Sequence, residues 1–293
     1  MSRRVLVVYN QKSGSSVSSK ELRSYFVEAG FEVVSMISVS SSLRSRIERE
    51  VDKNPKMTVA AVGGDGMISA VAGILSGSDT PLIPIPGGTL NNFSKDLGVL
   101  QNIQEAIKRA AIAPIQRIDT AEINGTIFLN NSSIGLYPLS LRTRKVAQQK
   151  VGKWPAALYG IARAFVRLRL YDIEVNGAHL QTPFLFVGNN DYGFDQVSSG
   201  FGRRGQLDGG TLSVYVIKGT THWAVVRTLA AALFGRLREE SSFLQYHVTN
   251  LHITSHRNRN VTVSHDGEFD SHAMPLTYRI LPKSLRVIAP RDK

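Results

Sequence analysis

"AVGGDGMISA", residues 61–70, carries the apolar run Met57–Val62 into three glycines and one aspartate, then into the apolar helical pattern Met67–Leu75. A buried strand, a turn with almost no side chains and a helix, in that order, make one unit of an α/β domain. Glycines at such a turn let the backbone bend sharply or let something bulky approach. Asp65, in their midst, is either a cap for the helix that follows or a working carboxylate.

The same alternation extends in both directions. "RVLVVYN", "FEVVSMI", "MTVAAVGG" and "PLIPIPG" read as continuous apolar strands, separated by helical patterns at Ser19–Ala29, Ser42–Val51 and Met67–Leu75. Such runs mark a parallel sheet covered on both faces, with ligands outside the carboxyl ends of its strands. The three glycine-containing turns "NQKSG", "GGDG" and "PGGTLNN" all fall at those ends. The serine-rich "SVSSSLRS" at 38–45 reads as a loop leading into a helix cap. After about Ala121 the texture changes to shorter β-type runs with Gly, Asn and Pro turns, from "TIFLNN" to "LTYRILP". The predicted architecture is an N-terminal α/β domain with an open, mostly parallel sheet over residues 1–121. A mainly antiparallel β-sandwich domain follows over 122–293, its last segment open to returning to the first domain. Two helical stretches, Pro155–Leu168 and Trp223–Leu237, interrupt the second domain, and docking on its core is expected for both.

At 293 residues and 42% hydrophobic content the chain can bury the cores of two domains. With no cysteine, disulfides, thiol catalysis and thiolate metal sites are excluded, and a reducing interior fits. The opening "MSRRVLVVYNQKSG" has too short an apolar run for a secretory signal, and no segment approaches a membrane span. A soluble, cytoplasmic protein is expected. The formal charge of +12 is concentrated. Between Leu141 and Leu170 stand Arg142, Arg144, Lys145, Lys150, Lys153, Arg163, Arg167 and Arg169, without a single acid. Such a block reads either as a solvated basic face or as contact with a polyanion. Trp154, Tyr159 and Phe165 among the cations suit a lipid headgroup boundary, although aromatics among arginines can also stack on bases.

Clustered backbone N–H groups and helix N-termini bind phosphate oxygens without cationic side chains, so a nucleotide is the natural ligand of three glycine turns. Neither a GxxxxGK[ST] run nor a GxGxxG fingerprint in the first turn is present. The seven histidines form no convincing metal constellation: His252 and His256, four apart, fall in a strand-like stretch.

"VGGDG" at 62–66 followed by "IPGGTLNNFSKDLGV" at 85–99 resembles the diacylglycerol kinase catalytic family, which includes sphingosine kinases and bacterial lipid kinases. "VVYNQKSG" resembles its opening strand and turn, "RIDTAEING" its domain junction and "SHDGE" at 264–268 its late acidic motif. "FLNNSSIGLYP", "GKWPAALYG", "FVGNNDYG" and "QLDGGTLSVYVI" are similar to a bacterial branch. The landmarks run from residue 5 to about 288. GGDG alone also occurs in NAD kinases and phosphofructokinases; its order and company make the resemblance specific.

The resemblance implies an NAD kinase/diacylglycerol kinase-like fold and transfer of the γ-phosphoryl group of ATP to a lipid hydroxyl. An alcohol needs a carboxylate within reach of its proton, and Mg2+ must offset the phosphate charge. By the family's pattern Asp266 is the base, with Glu268 close by; residues two apart on a strand share a face, so the two carboxylates are expected to share a site. Standing alone, Asp266 reads as the aspartate of an Asp-Gly hairpin turn. Asn10, Ser13, Gly14, Gly63, Gly64, Asp65, Gly66, Gly88, Thr89 and Asn91 are expected to line the ATP site, Asp65 acting through water or Mg2+. Four departures stand out: Met67 where the family has Thr or Ser, Asn92 for an aspartate, Ser15 for a lysine, and Gly209 for a second acid. The last leaves Asp208 as the candidate ligand of a structural Mg2+.

The reading is thus a two-domain, ATP-dependent lipid kinase with its site in the interdomain cleft, held peripherally on anionic membrane through residues 142–169. Its acceptor is diacylglycerol or a related lipid alcohol. The alternatives are a kinase of a soluble hydroxyl such as that of NAD, and a catalytically weakened nucleotide- or lipid-binding regulator. Nucleic acid is disfavoured as a partner, and no sequence feature assigns an oligomeric state.

Overall fold

The structure is a computed structural model describing residues 3–10, 17–40, 42–135, 170–175, 178–193, 203–217, 243–254 and 259–290. Ser13, Gly14, the basic stretch 142–169 and the helical pattern Trp223–Leu237 lie outside the described residues. The chain divides into two compact units. The first comprises Met1–Thr120, Thr126–Leu129 and Leu281–Lys293, and the second Ala121–Gly125 and Asn130–Ile280.

The first unit begins with β1 (Arg3–Tyr9), α1 (Ser19–Glu28), β2 (Phe31–Ser38), α2 (Leu43–Lys53), β3 (Thr58–Gly63) and α3 (Asp65–Leu75). It continues with β4 (Leu82–Pro86), α4 (Asn92–Asp96), α5 (Ile103–Ile112) and β5 (Ile115–Ile123), whose last three residues lie in the second unit. All six residues of β3 and all five of β4 are buried, which is why both read as unbroken apolar runs. β1, β3 and β4 are parallel neighbours, with Tyr9 beside Val62 and Gly63 beside Pro86, so their carboxyl ends fall along one edge. Helix starts follow local chemistry. A capping box opens α1: Glu21 N donates to Ser18 Oγ (3.2 Å) and Ser18 N to Glu21 Oε2 (2.8 Å). Asn102 caps α5 by accepting from Glu105 N at 3.1 Å. The serine-rich loop leads into α2 as expected but supplies no side-chain cap; Ser42 is bonded to Ser40 and Ser45 instead.

The strands then run β6 (Thr126–Phe128), β7 (Asn131–Gly135), β8 (Tyr171–Val175), β9 (Ala178–Thr182), β10 (Phe184–Asn189), β11 (Tyr192–Gly193) and β12 (Arg203–Arg204). They end with β13 (Leu212–Ile217), β14 (Phe243–Val248), β15 (Asn250–Ile253), β16 (Asn260–His265), β17 (Glu268–Ala273) and β18 (Leu276–Ile288). One sheet of the second unit is antiparallel throughout, in the order β14-β13-β10-β7-β16-β17. β8, β9, β15 and the start of β18 make a second antiparallel layer. The two layers meet where Tyr278, fully buried on β18, places its hydroxyl 3.1 Å from Ser132 Oγ on β7. Burial pushes the pKa of Tyr278 far up, so the phenol stays neutral.

β18 is longer than "LTYRILP" suggested. After Lys283, at φ 51°, it continues to Ile288 and pairs in parallel with β4, Val287 beside Leu82. Its return is secured inside the first unit: Asp119 Oδ1 accepts from Lys283 N (2.7 Å), and the Thr120 and Ser284 hydroxyls are 2.8 Å apart. Among the described residues no helix is long and apolar enough to cross a membrane. Tyr278→Phe, which leaves the buried Ser132 hydroxyl without its partner, should cost about 1 kcal/mol in urea unfolding.

Candidate active site

Each unit carries one cluster of the residues singled out from sequence. In the first, the turns after β3 and β4 pack backbone on backbone. Gly87 N donates to Gly63 O at 2.8 Å, and a Cβ built on Gly88 would lie 2.5 Å from Gly64 Cα. The glycine at 88 is therefore required by the approach of one loop to the other. Met67 turns its sulfur into the space a Gly63 side chain would take and so closes the turn from inside.

Asp65 joins the two loops. Its Oδ2 accepts from Asn92 N and its Oδ1 from Phe93 N, both at 3.0 Å. It caps α4, across the loop pair, rather than its own helix, whose N-cap is Gly64 with no side-chain bond. Asn91, at φ 52° and buried, folds its amide back on Gly88: Gly88 N donates to Oδ1 (2.9 Å) and Nδ2 to Gly88 O (3.0 Å). Nδ2 also reaches Gln101 Oε1 at 3.2 Å, a partner that sequence reading missed. Thr89 is exposed beside Leu90, Gly66 is half-buried at the start of α3, and Asn10 is half-buried at the end of β1. The site thus offers an uncapped α3 N-terminus next to the ends of three parallel strands, an arrangement suited to an anion.

In the second unit Asp266 occupies the Asp-Gly turn between β16 and β17, with φ 47° at Asp266 and 85° at Gly267. Positive φ at both positions is the hairpin geometry that Asp-Gly favours. The turn reading and the working-carboxylate reading therefore hold together. Asp266 is only 9% exposed. Its Oδ1 accepts from Asn130 N (2.7 Å) and Asn131 N (3.3 Å), and its own N donates to Asn131 O (3.0 Å). A buried carboxylate on a two-residue turn, tied to the start of β7, has a fixed orientation. Glu268 departs from expectation. It opens β17 opposite His265, exposed, so the two carboxylates are not two apart on one strand.

Behind Asp266 lies Arg204, 5% exposed, which the sequence did not single out. Its Nη2 donates to Asn130 Oδ1 (2.9 Å) and its Nη1 to Asn189 O (3.3 Å), with the guanidinium 5.7 Å from the centre of the Tyr192 ring. Asn189 N donates to Asn130 O at 2.9 Å, closing the network. The only hint in sequence was the Asn doublets, 130–131 and 189–190, at the ends of otherwise apolar runs.

Asp208, the candidate Mg2+ ligand, is exposed. Position 209 contributes no side chain, and the space one would use is taken by Asn190 Oδ1, 2.9 Å from a Cβ built there. That oxygen is buried without a hydrogen-bond partner. Among the described residues, the oxygen donors placed near position 208 are thus the exposed Asp208 carboxylate and the Asn190 amide oxygen, with no second acid at 209.

The first unit thus offers glycine loops and a helix N-terminus at the carboxyl edge of a parallel sheet, and the second presents a buried, oriented turn carboxylate. In comparison with known proteins, residues 4–123 match the model of the diacylglycerol kinase catalytic domain. Diacylglycerol kinases of Staphylococcus aureus strains JH9 and Newman are 24% identical over 304 aligned positions, covering 100% of this chain and 94% of theirs. The crystal structure of a diacylglycerol kinase from Bacillus anthracis superimposes with a TM-score of 0.71 at 24% identity, over 98% of this chain and 97% of that one. An NAD kinase from Archaeoglobus fulgidus in complex with ATP has a TM-score of 0.53 at 14% identity, over 99% and 94% of the two chains. The fold and the family resemblance read from the motifs are both borne out.

Two substitutions probe this construction. Gly88→Ala forces the loops apart and should destabilise the protein by about 1–3 kcal/mol in urea unfolding. Arg204→Met removes the partner of the Asn130 amide oxygen and should cost about 1–3 kcal/mol in urea unfolding.

Proposed function

We propose that this chain is an ATP-dependent lipid kinase that transfers the γ-phosphoryl group of ATP to the hydroxyl of diacylglycerol or a related lipid alcohol. The observation that carries the reading is the Asp266 carboxylate, buried and oriented by the N–H groups of Asn130 and Asn131. It is supported by full-length similarity to proteins called diacylglycerol kinase and by a fold shared with an NAD kinase in complex with ATP.

ATP enters as its Mg2+ complex on the first unit. The α3 N-terminus at Gly64, Asp65 and Gly66 faces no capping side chain, and its N–H groups and dipole receive phosphate oxygens. Gly63, Gly88, Thr89 and Asn10 shape the surrounding edge, while Asp65 holds the loops together at the cost of its own availability to the nucleotide. In the transfer the lipid oxygen bonds to the γ-phosphorus, the bridging P–O bond breaks and ADP leaves. The hydroxyl proton passes to Asp266. The transition state is loose, so positioning and charge stabilisation do most of the work and the base removes a proton as the nucleophile loses it.

The segment 142–169 supplies the membrane side of the reading. Eight cations among aromatics would hold the enzyme against anionic lipid, at about 1 kcal/mol per well-placed cation, and salt would release it.

The test is transfer of labelled γ-phosphate from MgATP into a panel of lipid alcohols in mixed micelles, beside Asp266→Asn. Label should enter one lipid class, with kcat lowered about 10²–10⁴-fold in the variant while its unfolding midpoint is retained. Label entering NAD or another soluble alcohol instead would replace the lipid by a soluble acceptor. ATP binding without transfer to anything would overturn the kinase reading in favour of a regulator.

A further inference from the structure

Besides Asp266 and the exposed Glu268, the hairpin carries three ligating side chains that converge. In its register His265 faces Glu268, Val263 faces Asp270 and Val261 faces His272. Side chains of facing and alternate residues share one side of a hairpin, so His265, Asp270 and His272 project together. Nε2 of His265 lies 2.8 Å from Oδ2 of Asp270. The rings of His265 and His272 are 6.1 Å apart and nearly perpendicular, at 78°. One ligand atom from each of the three residues lies within 4.8 Å of the other two.

An ordinary His–Asp ion pair on an edge strand would account for two of these groups. It does not account for His272, whose Nε2 is buried from solvent and has no hydrogen-bond partner. Such a nitrogen is costly unless something binds it. Burial, with the neighbouring His265, lowers the pKa of His272 and keeps the ring in the neutral form that ligates metals.

We propose that His265, Asp270 and His272 bind a divalent transition cation, Zn2+ in particular, through two imidazole nitrogens and one carboxylate oxygen. Two nitrogen donors and one oxygen suit Zn2+ and disfavour Mg2+, which takes oxygen ligands. Zinc–nitrogen bonds of about 2.0–2.1 Å imply tetrahedral ligand spacings of about 3.4 Å. The His265–Asp270 contact opens slightly to reach that spacing, and His272 closes on the other two. Asp270 is exposed while His265 is largely covered, so the cation enters from solvent on the Asp270 side. Three protein ligands leave the fourth position to water. The site tightens β17, the edge strand of its sheet, and does not depend on the kinase reading.

The experiment is isothermal titration of the chelator-treated full chain with Zn2+ in excess Mg2+, with Co2+ absorption spectra to report coordination. One equivalent of Zn2+ should bind, Co2+ should show the intense visible bands of a four-coordinate site, and the Tm should rise with Zn2+. His272→Gln and Asp270→Asn should each weaken binding by at least about tenfold. Asp270 is exposed, so Asp270→Asn keeps the fold and stays informative if His272→Gln does not. Absence of saturable Zn2+ binding to the wild type, or binding that Asp270→Asn leaves unchanged, overturns the proposal.

Discussion

The contact on which the first unit's site depends is that of two glycine turns meeting without side chains between them, clamped by one carboxylate. Three parallel strands end together, and two of the loops that follow lie so close that a methyl group at 88 has no room. Asp65 converts that proximity into a fixed geometry by accepting the first two N–H groups of α4. Asn91 closes the second turn on itself. The free helix terminus that remains is that of α3, so polar groups are spent on positioning one loop and left open on its neighbour.

The second unit solves a different problem with the same economy. A carboxylate on a two-residue turn would ordinarily be mobile and solvated. Here the turn is tied to the start of β7 by three hydrogen bonds, and Asn130, which supplies one of them, is itself held by Arg204. A buried guanidinium is tolerated when oxygens satisfy it, and two of those oxygens belong to the Asn doublets. Asn130 lies 136 positions before Asp266 and 74 before Arg204, so this chain of contacts joins residues far apart in sequence.

Much of this was legible beforehand. Continuous apolar runs gave away the parallel strands because a strand covered on both faces needs no polar alternation. GGDG and PGGTLNN marked the loops because such turns demand glycine. What local pattern does not carry depends on partners distant in sequence. Local pattern offers Asp65 as a cap for α3, the helix it begins, or as a working carboxylate, and cannot show that its partners lie 27 and 28 residues on. Pairing Glu268 with Asp266 on one face requires a continuous strand, which the positive φ at 266 and 267 breaks. The histidines looked unconnected because the two rings that converge belong to facing strands, seven residues apart.

The sequence by itself determined the strand–turn–helix order, the change to antiparallel β texture near Ala121 and the identity of the turn carboxylates, because all of these rest on local periodicity and on backbone preferences of single residues. Only the tertiary structure decided which groups each carboxylate meets, that Arg204 stands behind Asp266, and that β18 returns to pair with β4. Hydrogen-bond partners and strand neighbours are chosen by packing among residues far apart in the chain, and no local pattern records that choice.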